Sequence, residues 1–241
     1  MASLSNWEGS TLAREETKNL MVTTADLQKS SAEMRETVGG TAISAALQKS
    51  IAYGGVVRQK ILSSPLTLDI NTVHRKLRLS EGNKKVTNEG TKTKYPDHPD
   101  RFDCTAQVLC REALTGTRCY WEVECSGDFM VIGVAYKGLG RKGVRRECIQ
   151  GDNNKSWCLL CSHSQYFVRH NYQQTEISAP YSPRIGIYLD WPAGSLSFYS
   201  VSHTMTLLHR FNTFFTKPLY PGFCVGYHSS VIISHLTPCD H

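Results

Sequence analysis

From Pro65 onward, short apolar runs alternate with Gly, Pro, Asn and Asp, the punctuation of many short strands joined by tight turns. The clearest runs are Cys119 to Glu124, Met130 to Ala135, Trp157 to Cys161, Arg184 to Leu189, Ser195 to Tyr199, Leu207 to Phe211 and Val231 to Ser234. Few helical periods compete with them, so the pattern predicts a sandwich or a barrel. Successive side chains of a strand face opposite ways, which sends Ile185, Ile187 and Leu189 inward together. Leu196 and Phe198 do the same after Asp190-Trp191-Pro192-Ala193-Gly194, and the two strands read as a hairpin. Alternation also turns Trp157, Leu159 and Cys161 inward and Cys158, Leu160 and Ser162 outward. Leu160 is therefore expected on an exposed face, unless it packs under a neighbouring loop or exchanges roles with Leu159. Met130, Ile132 and Val134 point in while Val131 and Gly133 point out, Gly133 being small enough for close approach of a neighbouring chain.

Residues 1–64 have a different pattern. They carry one tryptophan, one tyrosine and no cysteine, and are rich in Ser, Thr, Ala, Glu and Lys. Leu20, Leu27 and Met34 keep a seven-residue spacing, but the companion positions Thr23, Ser30 and Thr37 are polar, which weakens a coiled-coil seam. Gly39-Gly40 interrupts any helix. The expectation is a polar leader, marginally helical or disordered, with a partner-dependent helix or self-association as the alternative.

Composition narrows the class. With 241 residues, 40% hydrophobic and 20% charged, the chain suits one globular domain, residues 65–241, plus that leader. No apolar stretch approaches the roughly 18 residues of a membrane span, and Met1 to Glu16 lacks the apolar run of a signal peptide. A cytoplasmic location is expected. Nine cysteines, odd in number and irregularly spaced, read as free thiols rather than a disulfide framework. The net charge of +6 is modest, but Lys137, Arg141, Lys142, Arg145 and Arg146 are concentrated. They form either a solvated loop or a patch for RNA or an acidic surface; no aromatic residue interleaves them as single-strand binding would want.

Several motifs suggest chemistry that their context withholds. Gly138-Leu139-Gly140-Arg141-Lys142-Gly143 spells a dinucleotide fingerprint after a strand, but Val144 to Cys148 shows no helical period to receive a pyrophosphate. A Gly-rich loop is expected instead. Cys158 and Cys161 have zinc-pair spacing, yet positions i and i+3 of a strand point to opposite faces and cannot share an ion. No nucleophile elbow or Ser-x-x-Lys box occurs, and the nine histidines are scattered. No catalytic residue, cofactor or metal is expected.

Other strings resemble a known family. Leu68-Asp69-Ile70-Asn71-Thr72-Val73-His74 with Leu77-Arg78-Leu79-Ser80 resembles the opening PRY segment of PRY-SPRY domains, Asp69 capping a short turn through Thr72 and His74. Pro96 to Phe102 is similar to the stretch that closes PRY. Cys119-Tyr120-Trp121-Glu122-Val123-Glu124, Asn154-Lys155-Ser156-Trp157, Arg184 to Asp190, Gly194 to Tyr199 and Pro218-Leu219-Tyr220-Pro221-Gly222-Phe223 follow in the family's order. The resemblance implies a bent antiparallel β-sandwich, jelly-roll-like, whose variable loops bind protein partners. In tripartite-motif proteins such a domain follows a RING, a B-box and a coiled coil and selects what the RING ubiquitinates; related domains end some NOD-like receptors. No Cys/His series of RING or B-box spacing precedes residue 65.

On that resemblance Leu160, Ser162, His163 and Val131 become partner-binding candidates, joined by Phe223 and by Tyr95, Lys137, Arg141, Tyr166 and His170 in the variable loops. Tyr95, Arg141, Tyr166 and Phe223 are the expected anchors, since aromatic and Arg side chains dominate protein interfaces. The expected function is non-catalytic protein recognition, in innate immune or ubiquitin-linked signalling. The alternatives are the substrate-recognition part of a tripartite-motif ligase lacking its own RING, or an RNA or anionic-surface binder using residues 137–146.

Overall fold

The computed structural model describes residues 65–143 and 145–234. The leader helices and the self-association expected of residues 1–64 lie outside the described residues. In chain order the strands are β1 (Arg78–Ser80), β2 (Lys85–Thr87), β3 (Gln107–Leu109), β4 (Arg118–Ser126) and β5 (Phe129–Tyr136). A single helical turn, α1 (Arg145–Cys148), precedes β6 (Ser156–Ser162), β7 (Gln165–His170) and β8 (Gln173–Ile177). Then come β9 (Arg184–Asp190), β10 (Ser195–Val201), β11 (Met205–Asn212), β12 (Leu219–Val225) and β13 (Ser230–Ser234). All strand pairs are antiparallel: one sheet runs β1-β2-β13-β4-β9-β10-β11, the other β3-β12-β5-β6-β7-β8.

Each apolar run expected to be a strand is one, and alternation assigns its faces correctly. Trp121, Val123, Ile185, Ile187, Leu189, Leu196 and Phe198 meet Met130, Ile132, Val134, Trp157, Leu159 and Cys161 in one core between the sheets. The β9–β10 hairpin pairs Leu189 with Leu196 and Ile187 with Phe198, so both inward sets coincide. Burying this apolar set is the main stabilising term, at roughly 1.5–3 kcal/mol for each large side chain fully removed from water.

Pro221 sits within β12, between two partner strands, where a missing N–H ordinarily breaks a ladder. Odd-numbered residues of β12 direct their backbone groups away from β5: Leu219 exchanges both bonds with Leu114, and the Pro221 carbonyl accepts Cys110 N–H at 2.7 Å. The absent donor thus faces the side where β3 has ended, and the β5 ladder stays intact.

Ahead of the first sheet, the Asp69 carboxylate accepts the Asn71 N–H at 2.9 Å, while Thr72 N–H turns back to the Asp69 carbonyl at 3.0 Å. The cap therefore acts one residue earlier than Thr72. Thr72 Oγ1 receives Leu109 N–H at 3.0 Å and ties this turn to β3. Arg101, 4% exposed, closes the segment by donating to the carbonyls of Pro96, Ile70 and Val73.

The loop after β5 corrects one expectation, because it does contain a helical turn. Among the described residues its helical turn, α1, begins at Arg145, past the glycines, and the Gly140 N–H is spent on the Glu147 carbonyl at 3.1 Å. Leu139 between the glycines is buried beside Phe102, so the string is a packed strand connection.

Candidate protein-recognition surface

Paired residues of neighbouring strands share a face, so the register lays out the outer surface of the six-stranded sheet row by row. One row runs Gln107, Cys224, Val131, Leu160, Phe167 and Glu176. The next toward the β4–β5 turn holds Phe129, Ser162 and Gln165; the next the other way holds Gly222, Gly133, Cys158, Arg169 and Gln174.

Alternation gave the facing of Leu160 and Val131 but not their exposure, and the structure corrects both. They are 5% and 4% exposed and form a small cluster with Cys158, flanked by Phe167 and Cys224. Large side chains on adjacent strands shield one another, and residues 148–151 cross the same face. Gln107 holds that crossing segment, donating to the Cys148 carbonyl and accepting Gln150 N–H at 3.0 Å. Gly133 does allow close approach, but of β6: a Cβ there would meet the Trp157 carbonyl at 2.1 Å.

Two expected anchors are core residues. Tyr166 belongs to β7 rather than a loop, because His163 and Ser164, with φ of 48° and 64°, reverse the chain in two residues. Its ring is fully buried, and its hydroxyl accepts Ser182 N–H at 2.7 Å and donates to the Ser182 carbonyl at 3.0 Å. Phe223 lies on the inward face of β12 opposite Ile132 and is also fully buried.

Others are occupied within the fold. Tyr95 is half-buried, its hydroxyl donating to the Leu77 carbonyl at 3.1 Å. Arg141 folds back onto the Leu139 carbonyl and over the Phe102 ring at 4.5 Å, and burial pushes its pKa down. His170 stacks on Trp157 between the sheets. Lys137 is exposed at the end of the sandwich that carries the β5–β6 loop, away from Ser162 and His163.

Ser162 and His163 stand at the opposite end, where the structure adds residues that strand periodicity did not single out. His163 N–H donates to the Asp128 carbonyl at 2.9 Å, joining the β6–β7 turn to the β4–β5 turn. Gly226 N–H donates to the Phe129 carbonyl at 2.9 Å, joining the β12–β13 turn to the same hairpin. That approach needs glycine, since a Cβ on Gly226 would lie 2.7 Å from the Phe129 Cβ. Ser229 Oγ accepts Phe129 N–H at 3.3 Å and completes the knot.

From these bonded turns Phe129, Tyr227 and His228 reach solvent, Tyr227 with 65% of its surface exposed. Tyr181, on the β8–β9 connection, stacks on the buried Tyr166 ring at 5.7 Å. Burial, then the neighbouring Cys125, Cys161, Tyr166 and Asp128, push its phenol up to about 12, so it stays a neutral hydrogen-bonding group. The sequence signal was Ser126-Gly127-Asp128-Phe129 and Gly226-Tyr227-His228-Ser229, aromatic residues placed inside turn punctuation.

Among the described residues no group of three or more His, Cys, Asp or Glu side chains could hold a metal. Cys161 lies in the core between the sheets and Cys158 on the outer face, as the strand period requires. No helix among the described residues is long and apolar enough to cross a membrane.

Two stacked antiparallel sheets define the chain as an all-β sandwich. A family model described as the SPRY-associated domain, PRY, matches residues 66–114, and one described as the SPRY domain matches residues 118–236. The chain belongs to the PRY-SPRY family. Stonustoxin subunit beta from Synanceia horrida is 44% identical over 165 residues, 67% of this chain and 23% of that protein. Tripartite motif-containing protein 16 from Mus musculus is 41% identical over 161 residues, 66% of this chain and 29% of its own length. The crystal structure of the TRIM65 PSpry domain superposes with a TM-score of 0.64 at 26% identity, covering 70% of this chain and 90% of that one. The chain spans about a quarter of the length of the curated relatives it matches. In tripartite-motif proteins the PRY-SPRY domain is a protein-interaction module, generally non-catalytic.

Proposed function

We propose that the chain recognises a partner protein through the end of the sandwich built from the β4–β5, β6–β7 and β12–β13 turns. Phe129, Tyr227 and His228 supply the contacts, with Ser162 and His163 beside them. The observation that carries this is the Gly226–Phe129 backbone bond, which holds two aromatic-bearing turns together. A rigid aromatic pair loses little conformational entropy on binding, which is why such residues anchor interfaces. Likeness to tripartite-motif proteins supports a setting in ubiquitin-linked or innate immune signalling in the cytoplasm, with any ligase activity supplied by a RING-bearing partner.

The test is proximity labelling in cells followed by capture on the full chain, wild type against a Phe129→Ser, Tyr227→Ser double variant. Capture should fall while the thermal melt stays within a few degrees; partners retained at full strength would refute the surface. One observation supports a second reading at the opposite end, where Arg146, on the β5–β6 loop that also carries Lys137 and Lys142, lies 5.7 Å over the exposed Tyr172 ring. A partner held there by phosphate or carboxylate contacts would lose affinity steeply between about 50 and 200 mM salt, whereas an aromatic-centred interface would not.

A further inference from the structure

Eight cysteines fall among the described residues, and six of them are buried. Cys110, Cys119, Cys125 and Cys161 belong to the core between the sheets, and Cys158 is sealed under residues 150–151. Cys104 and Cys224 alone are half-exposed. Cys224 has no partner for a disulfide in Cys158: β12 and β6 are separated by the whole of β5, roughly 9–10 Å at strand spacing.

Cys104 differs. Its side chain neighbours the Cys148 thiol, at the end of α1, because Asp103 and Cys148 bond to the adjacent carbonyls of Arg141 and Lys142. The backbone around both is fixed on two sides. Asp103 N–H donates to the Arg141 carbonyl at 3.1 Å and the Lys142 ammonium lies 3.6 Å from the Asp103 carboxylate. Gln107 donates to the Cys148 carbonyl. Cys148 itself donates to the Lys142 carbonyl at 3.2 Å, which fixes its side chain in the loop. Burial, and then Cys104, push the Cys148 thiol up to about 11, so it is a poor first nucleophile but a well-placed second one.

We infer that Cys104 and Cys148 are an oxidation site that closes to a disulfide under peroxide. The half-exposed Cys104 sulfur attacks hydrogen peroxide, the O–O bond breaks, and a sulfenic acid and one water form. The Cys148 sulfur then attacks the Cys104 sulfur; the S–S bond forms, the S–O bond breaks, and hydroxide leaves as water with the Cys148 proton. Two thiols are oxidised, one peroxide is reduced, and two waters are released. The bridge ties the segment before β3 to the end of α1, and so fixes the loop that carries Lys137, Lys142 and Arg146.

The full chain is treated with hydrogen peroxide, blocked with N-ethylmaleimide, digested without reductant and mapped by mass spectrometry. A Cys104–Cys148 linked peptide, lighter by two hydrogens than the two free peptides together, is the expected main product. Cys148→Ser should lose it and leave a Cys104 sulfenic acid that dimedone traps. Cys104→Ser, at a half-exposed position that keeps the buried thiol, should leave Cys148 reduced. The inference is overturned if wild-type Cys104 advances to sulfinic acid with Cys148 still alkylatable, if Cys104 pairs elsewhere, or if Cys148 oxidises equally without Cys104.

Discussion

Trp157 and His170 stack face to face across the β6–β7 pair, with ring centroids 4.7 Å apart and planes 11° from parallel. Tyr136 and Phe215 close the other sides of the indole edge-on, at 5.3 and 5.4 Å. His170 Nδ1 is 2.8 Å from the Ser156 carbonyl, which can only accept, so that nitrogen carries the proton and the ring orientation is set. His170→Ala should lower stability by about 1 kcal/mol beyond the lost burial and shift tryptophan emission to the red. Because the ring lies between the sheets, partner capture should be unchanged. Loss of capture at full stability would return His170 to the binding surface.

Tyr166 allows a sharper separation of fold from recognition. Tyr166→Phe keeps the ring and removes a hydroxyl that serves both backbone groups of Ser182. The buried Ser182 N–H is then unpaired, a loss of roughly 1–3 kcal/mol read as a lower denaturant midpoint at constant m. An interface anchor would instead show unchanged stability and weaker capture.

How far the sequence reached follows from what strand periodicity encodes. Runs such as Arg184 to Leu189 alternate Ile and Leu with other residue types, and their inward sets were read correctly. β8, Gln-Gln-Thr-Glu-Ile, is a mostly exposed edge strand with no buried face to mark it, and was missed. β1, β2 and β3 are three residues each, too short for a period. At the candidate site alternation specified which face Leu160 and Val131 occupy, but burial there depends on Phe167, Cys224 and residues 148–151, which arrive from elsewhere in the chain. Tyr227 and Phe129 were hidden for the opposite reason: their exposure results from turns that the backbone bonds of Gly226 and Ser229 bring together.

Arg101 carries a buried guanidinium whose nearest partners are three backbone carbonyls. Burial pushes its pKa down, with Arg75 acting the same way, yet arginine remains charged at any workable pH. Arg101→Lys keeps the charge but offers donors from one nitrogen, which cannot span Pro96, Ile70 and Val73 together. A loss of about 1.5–3 kcal/mol is expected in urea unfolding. Equal stability of the two forms would show that charge alone, without the planar fork, holds the segment.

The same segment makes stability depend on pH. Burial lowers the His74 pKa below its ordinary 6.5, with Lys76 and Lys92 acting the same way and Asp103 opposing. Its Nδ1 also accepts Lys76 N–H at 3.1 Å, a bond that protonation removes. His209 is lowered too, by burial. Above about pH 6.5 the imidazole is neutral in both states and adds no dependence. As pH falls through that value the unfolded chain takes up a proton that the folded one still refuses, so stability drops until the lower folded pKa is passed. The urea midpoint should therefore decrease from about pH 7.5 to 5.5, a window above the carboxylate range. His74→Asn, which can keep the acceptor through Oδ1 but cannot titrate, should flatten part of that slope, and His74→Asn with His209→Gln more of it. An undiminished slope in the double variant would mean that other groups carry the dependence.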